Sequence, residues 1–410
     1  MKKSILLLAL SILCAAICSA QSLTLSGRIL DASSRRPLDF ASIHLMTTNI
    51  SNVSNTEGIF SLKIPDDVKA DSVMVSYLGY RSQKIAVSAF NGRELTISLV
   101  PSGIALEPIV VHPQDALTVV QMAFYRVEQN YLTKPAQMTA FYREMIQKRN
   151  TYVSVSEAVL DINKASYRGL RSDQVGIYKA RGNYDQQRVD TLLVKFQGGP
   201  TSALEIDIAK DPFLSVEPNI LNDYYTFVFE PSVTINDEIF YVIAFNQRPN
   251  VSTILFRGRL YIEPETLAIG RVEFNMNVEG KPEASSIFIR RKPTSAQINI
   301  MSAEYMVNYK ELNNVWYFDY SRTKLTFNVK WARRWFSSNY TVSSELAITD
   351  ISENERLIID EDRFRARDII SSPVSDYTDE NFWGEYNIIE PEQSIERIIN
   401  RIVRQLRRQE

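Results

Sequence analysis

The chain has 410 residues, with 46 lysines and arginines against 48 aspartates and glutamates, a net charge of −2, and 45% hydrophobic residues. So even a balance excludes the basic field that nucleic-acid binding needs, and beyond the N-terminus no apolar run of about 18 residues offers a membrane-spanning helix. Both cysteines, Cys14 and Cys18, fall in the first twenty residues, so the rest of the chain relies on neither disulfides nor thiol chemistry.

Residues 1–20, MKKSILLLALSILCAAICSA, place Lys2 and Lys3 before an apolar run and a small-residue exit at Ser19-Ala20. That pattern predicts a secretory signal peptide cut before Gln21. A lipid-modified cysteine fits less well, because Leu13 and Ile17 rather than small residues precede Cys14 and Cys18. The remainder is long enough for two or three domains of roughly 150 residues each.

Short strands follow over residues 21–100. Leu23, Leu25 and Ile29 alternate with polar neighbours, and Ala41, Ile43 and Leu45 alternate with Ser42 and His44. In NTEGIFSLKIP (55–65), Gly58 supplies a turn, Phe60, Leu62 and Ile64 alternate with Ser61 and Lys63, and Pro65 ends the ladder. SVMVSY, QKIAV and ELTISL complete six or seven strands, predicting an antiparallel β-sandwich. His44 is expected to face solvent. Tyr77 and Tyr80 around Gly79 read as aromatic core plugs, with a ligand-binding pair as the sharper alternative.

Gly27, Asp31, Pro37-Leu38, Ala41, Gly58, Phe60, Ser76-Tyr77 and Gly79-Tyr80 occupy the slots of a known motif set. On them the segment resembles the carboxypeptidase-regulatory-like domain of Bacteroidetes envelope proteins. The resemblance implies a transthyretin-like sandwich appended to other modules, with no peptidase activity of its own. In transporters such a domain precedes a plug and a large barrel, and a tail like IALEPIVVH (104–112) continues the likeness. The length left here is too short for such a barrel of about 22 strands.

Pro101, Pro108 and Pro113 mark a linker over 101–115. From 116 to 410 a second domain is expected. Asp115 is a candidate N-cap for a helix that places Leu117, Val120, Phe124, Val127 and Tyr131 on one face. The period then changes to two. MTAFYREMIQ with YVSVSEAVLDI, YYTFVFEPSV with EIFYVIAF, ILFRGRLYIEP with LAIGRVEFNMNV, and MSAEYMVNYKE with VWYFDYSRTKLTF form sequential hairpins, and NYTVSSELAITDI follows. Nine or so strands predict a mainly β domain: a larger antiparallel sheet curled like a half-barrel, with flanking helices. An outer-membrane barrel is disfavoured by Arg143, Glu144, Arg257 and Arg259 along its strands and by the helical ending. That ending, IERIINRIVRQLRR, has one apolar face and many arginines, and reads as a helix docked on the sheet rather than on a membrane.

FRGRLYIEPETLAIGRVEF (256–274) is similar to a hairpin of lipoprotein-carrier-like half-barrels through Gly258, Tyr261-Ile262-Glu263, Thr266-Leu267 and Ile269. Sheets of that family bind acyl chains on their concave face, which implies a hydrophobic groove here.

Chemistry-bearing motifs are few. His44 and His112 are the chain's histidines, which leaves no catalytic triad or His-bearing metal site in the large domain. Gly198-Gly199-Pro200 lacks the Lys-Ser/Thr of a phosphate loop. Glu205 and Asp207, and the run Asp360-Glu361-Asp362, read as solvated charge. No catalytic residue, metal ligand or cofactor is assigned. Trp331 and Trp335, with Arg333-Arg334 between them, and Trp383 in NFWGEYNIIEP are the candidate ligand-binding residues, because exposed rings stack on sugars, whereas buried ones fill cores. DSV (71–73) and DTL (190–192) look like Asp-Ser/Thr-aliphatic glycosylation sites. The expectation is an exported, non-enzymatic envelope protein, periplasmic or outer-membrane-associated. Its partner would be a lipid or glycan ligand or another envelope protein. The alternative is a carboxylate-dependent hydrolase of envelope glycans or peptides.

Overall fold

The computed structural model describes residues 23–102, 115–149, 151–169, 171–184, 199–213, 216–235, 238–289, 294–332, 335–352, 358, 363–364, 379 and 381–406. The signal segment, most of the linker, His112, residues 190–192, Arg333-Arg334 and Asp360-Glu361-Asp362 lie outside them.

The first module has seven strands among the described residues: β1 (Leu23–Asp31), β2 (Ser42–Leu45), β3 (Ser51–Val53), β4 (Ile59–Ile64), β5 (Ser72–Ser76), β6 (Gln83–Ala86) and β7 (Leu95–Leu99). They form two sheets, β4-β1-β7 and β3-β2-β5-β6, that bury Leu25, Ile29, Ile43, Phe60, Leu62, Val73 and Val75 between them. One pairing departs from the antiparallel pattern: β7 runs parallel to β1. The sequence motifs now have physical reasons. Gly27 has no room for a Cβ, which would sit 2.2 Å from the Leu95 carbonyl oxygen. Asn55 Oδ1 accepts the N–H groups of Glu57 and Ile59 at 2.9 Å each, and Gly58 closes that turn at φ +74°. Asp31 caps its own turn through Ser33 and Ser34 and takes the Tyr80 hydroxyl at 2.5 Å. Tyr77 and Tyr80 stand edge to face, 5.3 Å apart, against the sandwich core. Ser72 of the DSV triplet is buried in β5, where a glycan could not reach it.

After the linker come α1 (Ala116–Tyr125) and α2 (Val127–Asn130). Asp115 is the N-cap, its carboxylate accepting the Thr118 N–H at 2.9 Å. Val120, Phe124, Val127 and Tyr131 are buried as the spacing predicts.

The large sheet has ten strands: β8 (Ala136–Lys148), β9 (Thr151–Lys164), β10 (Gln174–Tyr184), β11 (Tyr225–Ile235), β12 (Glu238–Gln247), β13 (Phe256–Ile262), β14 (Ile269–Met276), β15 (Ala296–Leu312), β16 (Val315–Trp331) and β17 (Ser338–Ser352). Their order, β10-β9-β8-β17-β16-β15-β14-β13-β12-β11, leaves β10 and β11 as edges, so the sheet is open and not a barrel. The chain builds one side as β8–β10. It then crosses to the far edge through α3 (Gly199–Glu205) and α4 (Leu221–Tyr224), and returns as a meander until β17 pairs with β8. A short helix, α5 (Ala284–Phe288), packs on β15, and α6 (Gln393–Leu406) packs on β9 with Ile395 and Ile399 buried.

The 256–274 hairpin is present as β13–β14, and its signature is turn chemistry. Glu263 accepts hydrogen bonds from the Thr266 N–H and hydroxyl, both at 2.6 Å, while Gly258 lies against β14 where a Cβ would meet the Glu273 carbonyl oxygen at 2.0 Å.

Both faces of the sheet are covered by the chain itself. On one face Val120, Phe124, Phe213 and Leu221 pack over Leu160, Val272, Phe318 and Leu346. On the other, Phe40 and Val53 of the sandwich join Phe382, Trp383 and Ile389 over Phe141, Val159, Tyr320 and Ala347. Alternation in β8 directs Tyr142 to the first face and Phe141 to the second.

Candidate functional site at the sandwich–sheet seam

Residues 384–392 run in the seam between the sandwich and the sheet, and side-chain amides hold them there. Asn52 Nδ2 donates to the Ile388 carbonyl at 2.7 Å, Asn55 Nδ2 to that of Glu390 at 3.1 Å, and Lys63 Nζ to that of Gly384 at 2.5 Å. Asn387 accepts the Lys63 N–H at 2.7 Å and donates to the Lys63 carbonyl at 3.1 Å, replacing a strand partner for β4. Asn55 thus does two jobs, shaping the Gly58 turn with its oxygen and gripping Glu390 with its nitrogen.

Beneath this segment lies a buried ionic network. Arg143 meets Glu157 at 2.7 Å and donates to the Ile389 carbonyl at 2.6 Å, and Arg181 meets the other oxygen of Glu157 at 2.8 Å. Burial works against ionisation of Glu157, but Arg143 and Arg181 outweigh it and hold its carboxyl below the usual range. Glu345, 2% exposed, is less well served. Burial pushes its carboxyl up to about 7, only partly opposed by Arg143 and Arg322, with Glu392 and Asp39 adding to the rise.

At one end the seam opens into a cavity of about 510 Å³, within the range of small-ligand sites. Its walls come from three parts of the chain: Ile50 and Pro65 of the sandwich, Thr139, Tyr178, Thr349 and Asp350 of the sheet, and Trp383–Asn387. Tyr178, half exposed, faces Tyr386 with ring centroids 4.8 Å apart. Lys179 also lines the cavity, its ammonium 4.3 Å from the Phe382 ring. Burial raises the Asp350 carboxyl. The arrangement offers aromatic faces, a cation, two carboxylates (Asp350 and Glu385) and amide and hydroxyl groups in one concavity.

Of the three tryptophans read as ligand-binding candidates, Trp383 lines this cavity and is 6% exposed, packed on Phe141 and Phe382, with its indole N–H buried without a partner among the described residues. Trp331 is half-buried at the far end of β16, and Trp335 is 96% exposed beyond it. The structure does not bring them together. Sequence reading missed Tyr178, Lys179 and Asp350, and passed over Tyr386 and Asn387 although it singled out their segment.

Two other assignments are corrected. Asp207 is not solvated: it is buried on the helix-covered face, where its carboxylate takes Lys164 Nζ at 2.7 Å and the hydroxyls of Tyr167 at 2.7 Å and Tyr309 at 2.8 Å. Glu205 is exposed and meets Ser202. His44 faces the seam rather than solvent; burial and Lys310 lower its pKa to about 4, against the pull of Asp319. Among the described residues no group of three His, Cys, Asp or Glu side chains is placed to hold a metal ion, and no helix is long and apolar enough to cross a membrane.

Fold and site define a two-module protein, a β-sandwich locked onto a large open sheet with a cavity at the join. Residues 25–111 match the family model of the CarboxypepD_reg-like domain. No curated protein matches the chain. Among solved structures, it is similar to a DUF1329 family protein from Desulfovibrio piger at 12% identity, covering 60% of this chain and 96% of that one with a TM-score of 0.24. It is also similar to lipovitellin, in a structure that concerns that protein's interactions with lipid, at 8% identity, covering 61% of this chain and 28% of that one with a TM-score of 0.27. Superpositions this loose carry nothing about ligand or activity.

Proposed function

We propose that this is an exported, non-enzymatic envelope protein that holds a glycan-like ligand in the seam cavity. The observation that carries this reading is the Tyr178–Tyr386 pair beside Lys179, Asp350, Glu385 and Asn387 in one cavity. Aromatic faces flanked by hydrogen-bonding groups suit a polyhydroxylated ring better than an acyl chain, which leaves hydroxyls and carboxylates unpaired. The CarboxypepD_reg-like match supports an accessory, display role for the sandwich.

Titration calorimetry of the protein with peptidoglycan fragments and lipopolysaccharide core oligosaccharide tests this. Saturable binding that weakens at least ten-fold in Tyr178→Ala supports the cavity; binding unchanged by that substitution contradicts it.

A second reading, a carboxylate-dependent hydrolase, has one observation behind it. Asp350 and Glu385 line the same cavity, and burial raises the Asp350 carboxyl as a general acid requires. Product appearing from those same oligosaccharides, and vanishing in Asp350→Asn, would replace the binding protein with an enzyme.

A further inference from the structure

About ten residues of strand, roughly 30 Å, separate the cavity from the opposite end of β8, β16 and β17. There the β16–β17 hairpin carries Trp335 at 96% and Phe336 at 82% exposure, side chains that no part of the described chain covers. The β8–β9 hairpin ends beside it: the Arg149 N–H donates to the Asn339 carbonyl at 2.7 Å, and Lys148 pairs with Tyr340. The start of β15 completes this end, with Ala296 opposite Trp331 and the Ala332 N–H donating to Ser295. A separate apolar cluster, including Ile298, Phe327, Val329 and Tyr340, makes it a firm support for whatever it presents. Ile287 of α5, packed on the same strand, is 42% exposed.

The charge around the hairpin tips is mostly positive, with Glu279 and Glu283 beside α5 as its exposed acidic neighbours. Residues 145–156, 289–303 and 325–344 contain no aspartate or glutamate, while Arg149 and Lys330 are exposed and Lys148 stands over the Tyr340 ring. Elsewhere the chain is slightly acidic overall, so this bias is local. An exposed tryptophan and phenylalanine beside exposed lysine and arginine match the interface of an anionic bilayer: rings enter the headgroup region, and cations meet lipid phosphates.

We infer that this end of the sheet docks on an anionic phospholipid surface, with Trp335 and Phe336 inserted at headgroup depth and Arg149 and Lys330 paired with lipid phosphates. The inference does not rest on the cavity reading, which concerns the other end of the molecule.

The test mixes the full chain with vesicles of equal phosphatidylcholine and brominated phosphatidylglycerol and reads tryptophan emission. The expected result is partial quenching that disappears in the double variant Trp335→Ser, Phe336→Ser, even if the apolar N-terminus also binds vesicles. Lys330→Ser with Arg149→Ser should lower partitioning roughly twenty-five-fold, at about five-fold per charge. All four positions are exposed, and a circular dichroism melt matching the parent establishes that each variant folds. Quenching that is absent, or that survives loss of Trp335, overturns the inference. Equal binding to vesicles of phosphatidylcholine alone overturns it too, as does a Trp335 response to soluble polysaccharide without any response to vesicles.

Discussion

The two faces of the large sheet each bury an ionic network, and the networks are built differently. On the helix-covered face Lys164 lies between Asp207 and Asp173 at 2.7 and 2.8 Å, Lys210 holds the other oxygen of Asp173, and two tyrosine hydroxyls complete Asp207. Opposite charges match, and the crossing segment is pinned. On the sandwich-covered face Arg143 and Arg181 satisfy Glu157, but burial lifts the Glu345 carboxyl to about 7, and Glu392 Oε2 and Trp383 Nε1 have no partner among the described residues. One face fixes the topology; the other joins two modules around a cavity and carries a buried carboxyl, Glu345, without a close cation among the described residues.

The largest expected effect comes from breaking the matched network. Asp207→Ala leaves Lys164 and two tyrosine hydroxyls with a lost acceptor, and should cost about 3–5 kcal/mol by urea denaturation. A loss below about 1 kcal/mol would mean that the two faces do not differ as described.

The seam should answer to pH instead. Burial pushes the folded Glu345 carboxyl up to about 7, above its ordinary 4.5, so folding favours its protonated form. The stability it contributes is complete below about 4.5 and is lost as pH rises through 7. Glu345→Gln should therefore gain on the order of 2–3 kcal/mol over the parent at pH 8 and little at pH 4.5, a difference that paired melts at the two values can read. Glu157 acts in the opposite sense, its contribution present above its ordinary pKa and lost as pH falls.

Smaller again is Asn387→Ala, which removes two bonds to the Lys63 backbone and should cost about 1–3 kcal/mol. Limited proteolysis sharpens it, because release of residues 384–392 from β4 should expose them to cleavage while the sheet stays resistant. Smallest is Tyr178→Ala, within about 0.5 kcal/mol because the ring is half exposed, yet decisive for ligand binding.

Most of the fold was legible where a single local rule governs. Alternation gave the sandwich strands and the long hairpins, Asp115 announced α1, and Ile395 and Ile399 identified the docked face of α6. Strand β10 was missed because a register shift between Ile177 and Lys179 breaks the two-residue period that a strand is read by. Asp207 and His44 were misread because their partners, Lys164, Tyr309 and Lys310, come from distant strands. The site was legible only in part. Trp383 was visible as an aromatic in a short polar segment, but that it shares a cavity with Tyr178 depends on the segment crossing back over β10. Nothing local encodes that crossing.

The most direct measurement is native mass spectrometry of the protein purified gently from envelope extract, beside its Tyr178→Ala, Tyr386→Ala double variant. The expected spectrum has an oligosaccharide-class adduct on the parent and none on the variant. A bare mass for both, or an adduct that persists in the variant, would contradict a ligand held in the seam.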